Sequence, residues 1–428
     1  MNRIFYVIFL FALYSCQTAT ESYHPQKIDS ANANLIHGLN QALIQVVSED
    51  LFSPPVASRI YAYTNIAAYE AARHLDQKTS LDDKLNGLTP LAIDTINVYW
   101  EVAMVSSFCN VAKHLVYRDF LIDSVLQSTA DTLKANYNDA DVFSHSLEVG
   151  SEIADHIIKW ADQDGYNATR NLARYEPLDA TYSWEATAPT YGEALEPHWF
   201  KLRPFVMDSA SQIRVDMPLE FSTDPNSAFY AAAQEVYEMV NEAEQHDIDV
   251  AVYWDCNPGP TLVNGHLMQV RKQNTPGGHW VGIHSIIAKK QNATLSQSCA
   301  IYAKMCSGIA DAFIAAWDTK YAHHLLRPET YINRHIDKDW KPKLESPLFP
   351  EFTSAHSLVS AVAASVLADA YGEVPFYDNT NVSFGLPPKQ FPDVWIAAEE
   401  AALSRLLGGI HYVFGCENGL AQGKKLGQ

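Results

Sequence analysis

Positive charge is scarce in this sequence: 30 Lys and Arg stand against 50 Asp and Glu over 428 residues, a net charge of −20. A nucleic-acid binder needs basic surface to displace counterions from phosphates, so that class is excluded. Simple adhesion to anionic lipid heads is excluded on the same ground. Small anions meet the same repulsion unless a pocket reverses the field locally. Cysteine is sparse as well, six residues with no CxxC pair. Apart from Cys16, the set Cys109, Cys256, Cys299, Cys306 and Cys416 is odd in number, so neither a zinc cluster nor a full disulfide framework is indicated. Cys299 and Cys306 are seven apart on an expected helix, roughly 10 Å along its axis and out of disulfide reach. GxSxG, HExxH, Walker A and GxGxxG arrangements are absent, and so are short tandem repeats. Past the amino terminus, no run reads as long and apolar enough to cross a bilayer. The 47% of hydrophobic residues and 19% of charged ones nonetheless exclude a disordered chain.

The one strongly apolar run is at the start. Arg3 precedes an apolar stretch from Ile4 to Leu13, too short to span a membrane. Ser15 followed by Cys16 resembles a bacterial lipoprotein signal, in which Cys16 becomes the lipidated first residue. The expectation is a signal over 1–16, a polar tether over 17–33 and a single large all-helical domain over 34–428. It carries with it export to the bacterial periplasm or cell surface, with membrane contact through the lipid anchor only.

Helix signals dominate the rest of the chain. Ser53-Pro54-Pro55 is a cap followed by Pro in the first turn, opening a helix to about His74. Thr89-Pro90 repeats the signal and predicts a helix over about 91–116. Further helices are expected over about 119–136, 142–161, 226–244, 247–254, 294–326, 354–371 and 392–407. Between Tyr166 and about Asp224, prolines alternate with Tyr182, Trp184, Tyr191, Trp199 and Phe200. So long an aromatic loop reads as packed across a surface or pocket mouth. A second loop is expected over Asn257–His284. Convincing alternating strands are absent, and the fold class is all-α.

Three segments near the carboxyl end carry chemistry. In Trp317-Asp318-Thr319-Lys320-Tyr321-Ala322-His323-His324-Leu325-Leu326-Arg327-Pro328, two helical turns separate Lys320 from Arg327, which puts both cations on nearly one face. In Phe349-Pro350-Glu351-Phe352-Thr353-Ser354-Ala355-His356, Thr353 reads as an N-cap. Ser354, Ala355 and His356 then fall in a first turn, whose free amides favour an anion. In Ser404-Arg405-Leu406-Leu407-Gly408-Gly409-Ile410-His411, the two glycines can bend the backbone and bring Arg405 and His411 to one point. His356 suits acid–base work, and His411 suits the role of nucleophile or metal ligand. Each segment alone also reads as ordinary structure: a solvated basic face, a capped helix start, a core histidine.

The ordered set Lys-x6-Arg-Pro, Ser-x-His and Ser-Arg-x5-His resembles the site signature of the vanadium-dependent haloperoxidases and type 2 phosphatidic acid phosphatases. The stretches WDTKY, RPETYI, FPEFTSAHS and SRLLGGIHY look most like the bacterial haloperoxidase branch, over about 311–427. WDCNPGP and TPGGHW extend the likeness weakly to Tyr253. The resemblance implies an all-α fold of helical bundles with its catalytic motifs in 311–428 and a vanadate cofactor, phosphate fitting the same cage. By position, Lys320, Arg327 and Arg405 hold its oxygens with Ser354 and the Ala355 N–H. His411 binds vanadium, and His356 handles protons at the opposite oxygen. It further implies hydrogen peroxide and a halide as reactants, and a homodimer is common among relatives. Trp317, Asp318, His323 and His324 are expected around the pocket, Asp318 paired with a site cation, and His279 and Trp280 in a turn at its wall.

Two positions depart from the family pattern. The usual Pro-Ser-Gly-His reads Thr353-Ser354-Ala355-His356, which places a methyl close to the anion. The Asp usual four residues after the last histidine is Gly415, leaving a backbone carbonyl or Glu417 as the expected substitute. Two other readings stay open at this point: an acid phosphatase with a phosphohistidine at His411, and a non-catalytic, lipid-anchored anion-binding protein.

Overall fold

A computed structural model describes residues 33–428 apart from Gly265 and His266, with side chains undescribed over 260–269. The amino-terminal signal, Cys16 and the tether up to residue 32 lie outside the described residues.

The first helices are α1 (Ala33–Glu49), α2 (Pro54–Ala72), α3 (Trp100–Leu115), α4 (Asp119–Lys134), α5 (Ala140–Ala161) and the single turn α6 (Tyr166–Thr169). After the long insert come α7 (Ala228–Glu242), α8 (Gln245–Tyr253), the antiparallel hairpin β1 (Gly259–Asn264) and β2 (Leu267–Arg271), and α9 (Pro276–Lys290). The last part holds α10 (Leu295–His323), α11 (Pro328–His335) and α12 (Ala355–Tyr371). It closes with a second small hairpin, β3 (Phe376–Asp378) and β4 (Lys389–Phe391), and with α13 (Val394–Leu407) and α14 (Val413–Leu426). The expected all-α class holds, with two short hairpins that period-two patterning did not reveal.

The architecture is organised round α10. A capping box of Thr294 and Gln297 starts it, and 29 residues carry it through the core. One side packs on α2, which meets α3 and α5; the other packs on α12, which meets α13 and α14. Among the described residues α10 is the helix long and apolar enough to cross a membrane by length and composition, contrary to expectation. Most of it is buried inside the protein, and a helix apolar all round is what a central position demands.

Two expected boundaries move for local reasons. The helix expected from about 91 begins only at Trp100. The Asp94 carboxylate accepts the Ile96 N–H at 2.9 Å and Asn97 takes a left-handed φ of 54°, a local turn that competes with helix. The loop expected over 257–284 is instead the first hairpin and α9, capped by Thr275 with Pro276 in its first turn. Its three glycines lower helix propensity, and Gly278 permits close packing, since a Cβ there would lie 2.7 Å from the Tyr61 hydroxyl of α2. The insert after α6 is irregular as expected. Asp311 of α10 pins it by accepting the N–H groups of Phe205, Val206 and Met207 at 2.6–3.0 Å.

Candidate functional site

Lys320 and Arg327 do not share a helix face, as their spacing suggested. His324 ends α10 in the left-handed region at φ 52°, and Arg327 is the extended cap of α11. Pro328 enforces that extended backbone. The two cations converge because segment 349–353 passes between them. Lys320 Nζ donates to the carbonyls of Pro350, Glu351 and Thr353 at 2.5–3.0 Å. Arg327 donates through Nε to Phe349 O at 3.0 Å and through Nη1 to Ile410 O at 2.8 Å. The Phe349 ring lies 5.1 Å from Lys320 Nζ and 4.9 Å from the Arg327 guanidinium carbon. An ammonium has three donors, so Lys320 contributes charge and a clamped backbone rather than a free N–H.

His411 arrives by the expected bend. Helix α13 stops at Leu407, and Gly409 turns the chain at a φ of 74°. The imidazole Nδ1 is 2.6 Å from Glu351 Oε1 and Nε2 is 3.0 Å from Arg327 Nη1. A guanidinium can only donate, so Nε2 presents its lone pair and Nδ1 carries the proton given to the carboxylate. Glu351 Oε1 also accepts the Tyr412 N–H at 3.1 Å. Gly415 makes room for this carboxylate: a Cβ there would overlap Glu351 Oε1 and come within 3.0 Å of its Cδ. The expected substitutes, a carbonyl or Glu417, are both corrected; Glu417 is exposed, and Glu351 supplies the group. The signal for it lay in the sequence, an unassigned glutamate in FPEFTSAHS beside a glycine where an Asp is usual.

The start of α12 completes the site. Its cap is Ser354 rather than Thr353, with Oγ accepting the Ser357 N–H at 3.3 Å. Thr353 turns its hydroxyl to Gln422 instead. Ala355 is the first helical residue, where the N–H has no intrahelical partner. Its side chain belongs to the main apolar core, which takes the methyl into packing. The His356 ring is tied to the Trp254 carbonyl while its Nε2 is buried without a partner. Arg405 donates through Nε to Ser404 Oγ at 2.9 Å and through Nη2 to Ala251 O at 3.3 Å, and its Nη1 is buried without a partner.

The charges act on one another, which is the test of convergence. Burial first, then Arg327, Lys320, Arg405 and His356, hold His411 well below the ordinary imidazole range. Burial, Arg405 and His279 do the same to His356. Both imidazoles are therefore neutral near pH 7. Burial raises Glu351 to about 7, against the pull of Lys320 and Arg327. Three buried cations face one carboxylate, with one guanidinium donor, Arg405 Nη1, and one imidazole lone pair, at His356 Nε2, left unpartnered. Such a set is costly until an anion enters it, and its charge repels a bare cation.

The weaker candidates lie outside this cage. Trp317 donates to Leu195 O at 3.1 Å and backs Phe349, centroids 4.8 Å apart. Asp318 pairs with Arg214 through two 2.6 Å bonds, not with a site cation. His323 meets Val215 O and His324 meets the Tyr175 hydroxyl, so both tie the end of α10 to the insert. His279 and Trp280 sit inside α9 rather than in a turn; Trp280 donates to Ser360 Oγ, and His279 belongs to a separate cluster with Asp378.

Fold and site together define a helical-bundle protein built round a buried cluster of three cations with an imidazole nitrogen turned into it. A solved bacterial vanadium-dependent iodoperoxidase is 39% identical, with a TM-score of 0.85 over 92% of this chain and 95% of that one. The holo and apo forms of a bacterial vanadium-dependent chloroperoxidase share the fold at 15% identity. Their TM-scores are 0.66 and 0.63 over 88% of this chain and 92% and 93% of theirs. A family model, the VCPO second helical-bundle domain, matches residues 333–428. No curated protein matches. The chain belongs to the vanadium-dependent haloperoxidase family.

Proposed function

We propose that this protein oxidises halide with hydrogen peroxide through a vanadate held by His411, Arg327, Arg405, Ser354 and the Ala355 N–H. The observation that carries the reading is the tautomer of His411, whose Nε2 lone pair is turned into a buried cage of cations. The fit to vanadate rests on the two unpartnered atoms: Arg405 Nη1 can donate to an oxyanion oxygen, and His356 Nε2 can accept from a protonated one. Bound vanadate supplies a Lewis-acid centre that activates peroxide toward halide. The chain's own residues do the rest. Arg327 and Arg405 balance the anion's charge, with Lys320 adding to the field from behind the 350–353 backbone. Glu351 holds the ligand tautomer of His411. His356 Nε2, neutral and buried, accepts a proton on one side of the anion and returns it. Burial of all these groups strengthens each interaction by excluding water.

Iodide is the first halide to test, because the relative at 39% identity is an iodoperoxidase. The purified protein, loaded with orthovanadate, is followed for peroxide-dependent iodide and bromide oxidation beside p-nitrophenyl phosphate hydrolysis. Iodide turnover abolished in His411→Ala supports the reading; phosphate release without halide turnover overturns it. We also infer export and lipid attachment at Cys16 from the Arg3-to-Cys16 pattern. Labelled-palmitate incorporation lost in Cys16→Ser tests that.

A further inference from the structure

The segment that closes the anion cage carries a second constellation. Residues 251–256 supply two carbonyls to the cage, Ala251 O to Arg405 and Trp254 O to His356. At the end of the segment Cys256, at a left-handed φ of 45°, places Sγ 3.5 Å from His279 Nδ1. The other nitrogen of His279, Nε2, is 2.6 Å from Asp378 Oδ2, and neither side chain has any exposed surface. The carboxylate is itself fixed. Tyr253 donates its hydroxyl to Oδ2 at 2.8 Å, while the Thr380 N–H and hydroxyl reach Oδ1 at 3.0 and 2.7 Å. The Trp254 ring stacks on the imidazole with centroids 4.4 Å apart.

Thiol, imidazole and carboxylate in a row is the order that takes a proton from sulfur and stabilises the imidazolium that forms. The remaining described cysteines lack it. Burial pushes the thiols of Cys109 and Cys416 up to about 12, and those of Cys299 and Cys306 higher still. Cys256 is buried as they are and differs from them in the imidazole beside its sulfur; thiols that stay protonated are inert. The anion cage feels the charge of His279 at His356 but makes no hydrogen bond to Cys256, His279 or Asp378.

We propose that Cys256 is a peroxide-reactive sulfur, with His279 as its proton partner, Asp378 as the group that holds the imidazole, and hydrogen peroxide as the oxidant. The sulfur attacks one peroxide oxygen; the S–O bond forms as the O–O bond breaks. The proton that Sγ and His279 Nδ1 share passes from Nδ1 to the departing oxygen, which leaves as water. Sulfur loses two electrons and becomes a sulfenic acid, and one peroxide is reduced. The step requires no vanadate and no halide, so it stands apart from the halide-oxidising function.

The test uses the full chain, stripped of vanadate and free of halide. Hydrogen peroxide is added in the presence of dimedone, which traps sulfenic acids, and the adducts are mapped by peptide mass spectrometry. The expected result is labelling of Cys256 about tenfold faster or more than of Cys109, Cys299, Cys306 and Cys416. His279→Asn should slow labelling at Cys256 by a similar factor while circular dichroism stays native. A Cys256 rate no greater than the other four overturns the proposal. So does an unchanged rate in folded His279→Asn, which would make the cluster a structural ion pair only. If that variant does not fold, the wild-type comparison among the five thiols decides alone.

Discussion

His411 Nδ1 lies 2.6 Å from Glu351 Oε1, and the residue four positions after the histidine is a glycine whose Cβ would overlap that same carboxylate. The carboxylate that orients the His411 imidazole thus comes from another segment, and position 415 must stay without a side chain. Because Glu351 also accepts the Tyr412 N–H, one oxygen fixes both the ring and the backbone beside it. In Glu351→Gln the amide oxygen can accept from Nδ1–H or the amide NH2 can donate to an unprotonated Nδ1, so the tautomer is no longer enforced. Vanadate affinity should fall by about 10- to 100-fold, as for other groups that orient metal ligands. Equilibrium dialysis or vanadium NMR reads it. Unchanged affinity would remove Glu351 from the site.

The overlap makes a paired prediction. Gly415→Asp alone should destabilise the protein and abolish vanadate binding, because two carboxylates would share one buried volume. Combined with Glu351→Ala, the same substitution gains space and restores an anionic partner for His411. The double variant should bind vanadate about tenfold or more tightly than Glu351→Ala alone. Additive losses in the double variant would show that the two positions do not exchange roles.

Most of this site was legible because its residues come in a fixed order on helices that announce themselves. Thr294 with Gln297 and the glycine pair at 408–409 mark boundaries by local chemistry, and the structure keeps them. What stayed hidden depends on contacts across long sequence separations. Lys320 and Arg327 meet through the carbonyls of 349–353, and no helical register reports that. Glu351 acts on a histidine 60 residues away. The helix α9 was masked by its glycines, of which Gly278 is required for close approach to Tyr61, and such packing has no signature in propensity.

The His279–Asp378 pair predicts a pH profile for stability. Burial alone would lower His279, but Asp378 and the Cys256 sulfur outweigh it and raise the imidazole to about 10. Its stabilisation is complete below the unfolded value of 6.5 and is lost as pH rises through about 10. Burial would raise Asp378, but the facing imidazolium and Thr380 hold it below its ordinary range. That contribution is present above the unfolded value and is lost as the solution becomes strongly acidic. Urea denaturation followed from about pH 6 to about pH 10 should show wild type losing a few kcal/mol more than Asp378→Asn. Parallel curves would deny the pair its charge.

Lys320 and Arg405 separate structure from function within one charge cluster. Every donor of Lys320 is engaged by a carbonyl of 350, 351 or 353. Lys320→Met leaves those acceptors and Glu351 uncompensated in the interior, which should lower stability by about 3–5 kcal/mol. Arg405 is as deeply buried, yet its Nη1 has no partner, and burial holds the guanidinium below its usual range. Arg405→Met removes a cation that the fold does not satisfy, so the loss should be smaller, about 0–2 kcal/mol. Vanadate binding discriminates further. At a hundred times its dissociation constant a ligand adds about 2.7 kcal/mol to the folded state, seen as a rise in Tm. Wild type should show that rise, and Arg405→Met should lose most of it while remaining folded. A variant Arg405→Met that unfolds like Lys320→Met, with the vanadate-dependent rise intact, would assign Arg405 to structure instead.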